Sequence, residues 1–316
     1  MTYQEKAGGD KMTLGPTTMF HIKIRRGGDT MKKIYLIIVI LLFSLNGYAE
    51  NFPLREKYTD VQPISTSDLH AEFEKATVID TRSAFEYNII RIQGAKNILV
   101  SQIDFTRLLE EKAPDKTAKI VFYCNGVQCA KSYKAVQKAA AIGYTNVFVY
   151  DAGVFEWTKT YPEKAVLLEK NPADIDDIIP ESDFQSKVLD RDVFEKEAQS
   201  IEAYLIDTRD ANQRKKTPEF ARSAKRIPID NLAKMLDDEN FLKDIEGKTL
   251  YIMDAVGKQI QWIQYYLIAQ GFNKYYFLKN GLWSFYGEEG ASKDGVQQKN
   301  LLEDTDVRFK IKGHLL

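Results

Sequence analysis

The feature that most constrains the fold of this 316-residue chain is an internal repeat. The segment 78–82, VIDTR, recurs at 205–209 as LIDTR. Two glycine-containing pairs recur after it, at a spacing that is constant to within one residue: 143–144 (GY) as 271–272 (GF), and 153–154 (GV) as 281–282 (GL). Repeats in one order at one spacing indicate two copies of a single structural unit. Apolar runs that alternate with helix-like segments in each copy predict a small parallel α/β unit.

The second constraint is a loop in the first copy. An apolar run, 120–123 (IVFY), leads into Cys124, a short polar turn and the start of a helix. Backbone N–H groups in such a turn, and the positive end of the following helix, favour a thiolate over a thiol. The two cysteines of the chain, Cys124 and Cys129, both lie in this loop. We interpret Cys124 as a nucleophile; the alternative is a buried structural thiol.

These segments, together with 92–98 (IQGAKNI) and 153–157 (GVFEW), resemble the rhodanese, or sulfurtransferase, family. The resemblance is strong over roughly residues 58–165 and weaker over 185–288, and the CNGVQC loop resembles a subset of exported bacterial rhodaneses. It implies two tandem rhodanese-like domains, each an α/β unit with a small parallel sheet flanked by helices on both faces. It also implies a persulfide on Cys124.

The resemblance and the loop chemistry together define the candidate site. The substrate-binding loop is Asn125, Gly126, Val127, Gln128, Cys129, Ala130 and Lys131. Its N–H groups are expected to converge on the sulfur, and Gly126 allows a sharp turn. Lys131 either adds a positive charge for an oxyanion or is a solvated helix lysine. Asp80 and Arg82, at the end of a strand, are candidates to brace the loop by hydrogen bonds, although their recurrence as Asp207 and Arg209 favours a structural role.

Cys129 has two interpretations. It is a candidate redox partner that resolves the persulfide or protects the resting enzyme as a Cys124–Cys129 disulfide. The alternative is a small apolar residue at a helix start, since a disulfide requires the Cβ atoms to lie within ~4 Å.

The second copy lacks the nucleophile. Counting back from Gly271, the counterpart of Gly143, places Asp254 where Cys124 stands. Alignment from the preceding strand gives Met253 instead. Neither side chain carries sulfane sulfur, so the site around Asp254 is predicted to be degenerate. Tandem members of the family more often keep activity in the C-terminal copy, so the order is reversed here. The stretch from Cys124 to Gly143 is two residues longer than its counterpart, which predicts a wider pocket that favours polysulfide over thiosulfate.

Cysteine phosphatases share this fold but need an arginine six residues after the cysteine, and position 130 is Ala. Net charge is −1, so no basic excess suggests nucleic acid. The expected partners are small sulfur anions, thiosulfate and polysulfide, with a protein thiol as a candidate acceptor. No cofactor and no metal is expected, and the membrane is expected to be met only through a signal segment.

Residues 31–49 combine a charged start, an apolar run and a small-residue cleavage site, which predicts export to the periplasm. A membrane anchor that is never cut is the alternative. The predicted organisation is an upstream extension from a mis-set start (1–30), a signal peptide (31–49), a catalytic domain (50–166), a linker (167–184), a degenerate domain (185–290) and a C-terminal tail (291–316). Within the linker, Ile175, Ile178 and Ile179 are candidates for attachment to a domain surface.

The sequence therefore predicts a periplasmic sulfurtransferase that moves sulfane sulfur from thiosulfate or polysulfide, through a Cys124 persulfide, to a thiol or cyanide acceptor. The alternative is a sulfur carrier without turnover, or a module that binds a partner.

Overall fold

The structure, a computed structural model, describes residues 52–214 and 216–286. The chain divides into two compact units, Met1–Glu50 and Asn51–Leu316, and every described residue belongs to the second. The predicted extension, signal peptide and C-terminal tail therefore lie outside the described residues.

The described strands are β1 Thr77–Asp80, β2 Ile90–Ile92, β3 Lys96–Asn97, β4 Ile120–Tyr123, β5 Val147–Tyr150, β6 Ala165–Leu167, β7 Val188–Leu189, β8 Ala203–Asp207, β9 Lys225–Arg226, β10 Thr249–Met253 and β11 Tyr275–Leu278. The described α-helices are α1 Thr66–Ala71, α2 Ala84–Ile89, α3 Phe105–Lys112, α4 Lys131–Ala141, α5 Gly153–Thr160, α6 Glu181–Ser186, α7 Arg191–Glu197, α8 Ile229–Met235, α9 Glu239–Asp244 and α10 Ile260–Ala269. Short 3-10 turns connect several of them. Within the described residues, no helix is both long enough and apolar enough to cross a membrane.

The first sheet is parallel, with strand order β3-β1-β4-β5. Every residue of β4 is buried. A parallel strand covered by helices on both faces is expected to be a continuous apolar run, which explains why this segment was recognisable from the sequence. The carboxyl ends of β1 and β4 meet at one edge, so Asp80 and the residue after β4 are brought together.

The second sheet is also parallel, with strand order β9-β8-β10-β11-β7. Its first four strands repeat the order of the first sheet. The register repeats as well, because Asp207 pairs with Met253 as Asp80 pairs with Tyr123. A further two-stranded antiparallel sheet joins β2 to β6. The predicted α/β architecture of parallel sheets flanked by helices is confirmed.

A shared apolar core lies between the two sheets. It contains Val121 and Trp157 from the first half together with Ile206, Trp262 and Phe277 from the second. Two smaller clusters cover the outer faces, one under α3 and α4 and the other under α7. Each sheet is thus covered on both faces, and the two halves share one interior.

The segment predicted as a linker is anchored to this core. Ile178 and Ile179 pack against it, and Phe184 of α6 is buried, whereas Ile175 is 49% exposed. Attachment is confirmed for Ile178 and Ile179 and was wrong for Ile175, whose side chain points to solvent. The domain boundaries themselves stay a prediction.

Candidate active site

Cys124 directly follows β4 and is 1% exposed. Its carbonyl accepts a hydrogen bond from the Val154 N–H at 3.0 Å, which attaches the loop to the start of α5. The backbone of Gly153 also lies against the backbone of Gly126, and this approach requires glycine at position 153. Gly153 has φ +83°, and a Cβ there would lie 2.3 Å from the Gly126 nitrogen. The loop therefore presses on the backbone of α5, and its path is fixed at two neighbouring points.

The loop closes on itself through a disulfide. Cys124 and Cys129 are bonded, with their Cα atoms 6.2 Å apart. A turn in which the Cys129 N–H donates to the Gly126 carbonyl at 2.9 Å brings the two cysteines together. Cys124 is buried and Cys129 is half-buried. The sequence left this pairing open because it depends on the turn, and the structure contains it.

Arg82 ties the loop to the end of β1. It is fully buried, forms a 2.6 Å salt bridge with Asp80, and donates from Nη1 to the Asn125 Oδ1 at 3.0 Å. Burial by itself would lower the pKa of Arg82, but the charge of Asp80 and the hydrogen bonds to it raise that pKa above its ordinary value. The guanidinium is therefore a permanent cation that positions the residue next to Cys124.

Asn125 is also held from its other side. Its Nδ2 donates to the Glu86 Oε1 at 3.0 Å, and the Glu86 Oε2 lies 3.6 Å from the Lys131 Nζ. Burial would raise the pKa of Glu86, yet the charges of Lys131 and Arg82 and the hydrogen bonds to it bring that pKa to about 2. Glu86 is thus an anion that fixes both ends of the loop.

Glu86 was not among the predicted site residues. Its sequence signal is the capping box at the start of α2, where Ser83 and Glu86 cap each other's backbone N–H groups. That pattern identifies a helix start but says nothing about the second carboxylate oxygen, which reaches Asn125. The structure also changes the interpretation of Lys131: its side chain is 17% exposed and lies beside Glu86, so it is neither a solvated lysine nor an unopposed cation.

Val127 and Gln128 lie within the turn from Gly126 to Cys129, and Ala130, which is buried, directly precedes α4. The Oε1 of Gln128 is buried and has no hydrogen-bond partner among the described residues. The structure thus places the predicted loop residues 125–130 between β4 and α4, and Lys131 as the first residue of α4.

The second half supplies a wall next to this site. The Trp262 ring of α10 stacks on Phe155 with ring centroids 5.7 Å apart, and Phe85 of α2 stacks on Tyr266 at 5.6 Å. Trp262 is 2% exposed. Sequence reasoning did not identify it, because its position in the repeat carries no motif.

In the second half, Asp254 occupies the position that corresponds to Cys124. It directly follows β10, and its carbonyl accepts from the Leu282 N–H at 2.9 Å. A Cβ on Gly281 would lie 2.4 Å from the Val256 nitrogen, as one on Gly153 would meet Gly126. Met253 instead pairs with Asp207 inside the sheet. The register therefore aligns Asp254, not Met253, with the cysteine.

The Asp254 carboxylate is bound by its own loop. Its two oxygens accept hydrogen bonds from four consecutive backbone N–H groups, those of Val256, Gly257, Lys258 and Gln259. Burial raises the pKa of Asp254, and the hydrogen bonds oppose that effect. This loop framework therefore directs its backbone N–H groups at an anion that is carried by the residue after the strand.

Two further differences separate the halves. Arg209 forms a 2.9 Å salt bridge with Asp207, as Arg82 does with Asp80. Its other side-chain hydrogen bonds go to Gln213, Lys216 and Thr217 and not to the second loop. The sequence predicted that two extra residues widen the first pocket. One of them is taken up by α4, which is one residue longer than α10, so only one lies in the loop. The preference for polysulfide over thiosulfate stays a prediction, and it now rests on a difference of one residue in loop length.

The family model described as a rhodanese-like domain matches residues 65–160. A tRNA uridine(34) hydroxylase from Bdellovibrio bacteriovorus is 30% identical over 104 residues, which is 32% of this chain and 29% of the relative. A probable adenylyltransferase/sulfurtransferase, MoeZ, from Mycobacterium tuberculosis is 32% identical over 104 residues, which is 33% of this chain and 25% of the relative. The chain thus spans less than a third of either relative's length.

Among solved structures, a thiosulfate sulfurtransferase from Pseudomonas aeruginosa is 17% identical, covers 72% of this chain and 43% of its own, and has a TM-score of 0.34. The human single-domain sulfurtransferase TSTD1 is 26% identical, and the match covers 31% of this chain and 96% of that protein, with a TM-score of 0.28. Scores of this size carry no structural argument. The rhodanese-like assignment over residues 65–160 rests on the family match, and that match ends before the second half.

Proposed function

We propose that the chain is a sulfurtransferase in which reduced Cys124 accepts sulfane sulfur as a persulfide. The thiolate attacks the outer sulfur of thiosulfate, the bond between the two sulfurs breaks, and sulfite leaves with the bonding pair. Polysulfide reacts in the same way, with a shorter polysulfide leaving. The outer sulfur then passes to cyanide or to a thiol, which includes a thiol on a partner protein.

The observation that carries this proposal is the backbone of the second loop. There, four N–H groups converge on a carboxylate at the position that corresponds to Cys124. The first loop is attached at the two matching points, the carbonyl of Cys124 and the backbone beside Gly153. A thiolate or persulfide in that frame is an anion, and converging N–H groups are the feature that stabilises it.

The experiment is persulfide loading by the reduced protein, followed by turnover. Intact mass after incubation with thiosulfate or polysulfide is expected to show one added sulfur atom in Cys129→Ser, which cannot form the disulfide, and none in Cys124→Ser. Steady-state thiosulfate:cyanide turnover then separates a transferase from a carrier that loads once. Absence of loading with both donors would contradict the proposal.

We further propose that the protein acts in the periplasm, after cleavage of residues 31–49. The support is the charged start, apolar run and small residues of that segment, together with a disulfide that suits an oxidising compartment. N-terminal sequencing of exported protein is expected to begin at Glu50. A mature start upstream of Met31 would refute the cleavage site.

A further inference from the structure

We propose that Cys129 is a resolving thiol that discharges the Cys124 persulfide as sulfide, so that the chain reduces sulfane sulfur as well as transferring it. This inference rests on the proposed function, because it needs a persulfide on Cys124. Its substrates are a sulfane-sulfur anion and a dithiol reductant.

The geometry of the loop is the first support. In the structure the Sγ atoms of Cys124 and Cys129 are bonded, with Cα atoms 6.2 Å apart. The turn closed by the Cys129 N–H and the Gly126 carbonyl holds them at this separation. In the loaded state the Sγ of Cys124 is the inner sulfur of the persulfide. Cys129 can therefore reach the inner sulfur, from which the outer sulfur is the leaving group.

The step is balanced without any other reactant. The Cys129 thiolate forms a bond to the Cys124 Sγ, and the bond between that atom and the outer sulfur breaks. Cys129 gives up its thiol proton as it attacks, and the outer sulfur of the anionic persulfide takes the bonding pair and that proton and leaves as hydrosulfide. Two cysteine sulfurs are oxidised to a disulfide by two electrons, and the outer sulfur is reduced by the same two. The product is the oxidised loop that the structure contains.

Burial gives the return step a direction. Cys124 is 1% exposed, whereas Cys129 is half-buried, so an incoming thiolate meets the Cys129 sulfur first. Attack there makes the Cys124 sulfur the leaving group, at the position where the loop favours an anion. The second thiol of the reductant then releases Cys129. A full cycle converts thiosulfate and a dithiol to sulfite, sulfide and a disulfide.

The second loop gives an independent comparison. Cys129 lies two residues before the start of α4, and Lys258 lies two residues before the start of α10. The half that carries a carboxylate in place of the nucleophile thus lacks the second thiol as well. The thiol pair occurs only where a persulfide can form.

The test is a single turnover with the full chain. The protein is reduced, freed of reductant without oxygen, and mixed with one equivalent of thiosulfate; sulfide and intact mass are then measured. Wild type is expected to release one equivalent of sulfide and to lose two hydrogens as the disulfide forms. Cys129→Ser and Cys129→Ala are expected to gain one sulfur atom and to release no sulfide. Lys258→Ser, at the matching position of the second loop, is expected to behave as the wild type.

Each failure has its own signature. If the wild type keeps the added sulfur and releases no sulfide, or if the Cys129 variants release sulfide as fast as the wild type, the resolving role is wrong while the sulfurtransferase proposal stands. Peptide mapping that places the added sulfur on Cys129 would equally overturn it. If neither Cys129 variant gains a sulfur atom and the wild type releases no sulfide, the proposed function itself is wrong.

Discussion

The ring of Trp262, from the second half of the chain, lies over the guanidinium of Arg82 in the first, with the Arg82 Cζ 5.6 Å from the ring centroid. Arg82 in turn donates to Asn125, the residue after Cys124. The half without a nucleophile therefore contacts the candidate site through a single intermediate side chain. An aromatic face over a cation stabilises it by about 0.5–2 kcal/mol, more when both are buried.

Trp262→Phe is expected to lower kcat/KM for persulfide formation, by roughly threefold to tenfold, because a smaller ring loosens the packing that fixes Arg82. Trp157→Phe is the matched control, since Trp157 is also fully buried but packs on Phe73 and Tyr150 instead. Both variants should melt earlier, and only Trp262→Phe should be slower. Equal kinetic losses would show that the effect is general destabilisation.

Arg82→Lys is expected to reduce kcat/KM on the order of tenfold to a hundredfold, because lysine keeps the charge but cannot bind Asp80 and Asn125 at the same time. Arg209→Lys is the matched control, because Arg209 forms the same kind of buried salt bridge but donates no hydrogen bond to the loop that carries Cys124. Each is expected to lower the free energy of unfolding by about 1–3 kcal/mol. The prediction fails if the two variants lose activity to the same extent.

Acid is expected to unfold the protein partly through Glu86. Its pKa is about 2 in the folded state, against an ordinary value of 4.5. A lowered pKa stabilises the fold above pH 4.5, and that contribution is lost as the pH falls from 4.5 towards 2. Over this window the wild type should lose on the order of 3 kcal/mol that Glu86→Gln does not lose.

The measurement is the free energy of unfolding by urea at several pH values. Glu163→Gln, which changes an exposed glutamate, is the control and should follow the wild type. Parallel pH curves for the wild type and Glu86→Gln would show that Glu86 is not the group that titrates.

Asp254→Ala is expected to leave persulfide loading nearly intact, whereas Cys124→Ser abolishes it. The variant should be less stable by about 1–3 kcal/mol, since buried N–H groups lose their acceptor even though a buried charge is removed with it. Added sulfate should raise the Tm of Asp254→Ala more than that of the wild type, because it supplies the missing acceptor. Comparable loss of transfer in Asp254→Ala and Cys124→Ser would mean that the second loop takes part in the chemistry.

Local signals explain what the sequence could predict. The buried run of β4, the cysteine after it and the repeat of the Asp-x-Arg strand end are each contained in a short segment, so the parallel sheets and the composition of the loop were accessible. A bracing role for Arg82 was suggested by its place at a strand end, but its partner, Asn125, is known only from the structure.

The rest depends on distance in space. Trp262 reaches Arg82 only because the two sheets share one core, and nothing in the residues around it announces that contact. Glu86 was hidden behind its capping role, which fully explains the residue at the level of sequence. The disulfide depends on how tightly the turn from Gly126 to Cys129 closes, and the anchoring of Ile178 and Ile179 depends on a surface formed by distant helices.

The carboxylate of Asp254 makes the second loop behave as a receptor whose ligand is permanently tethered. A free anion contributes to stability by an amount that depends on the logarithm of its concentration relative to its dissociation constant. A ligand attached through one side chain has a fixed effective concentration that dilution does not change. The order of the second loop is therefore independent of which anions surround the protein, and the wall that it supports beside Arg82 is the same whether sulfur donors are abundant or absent.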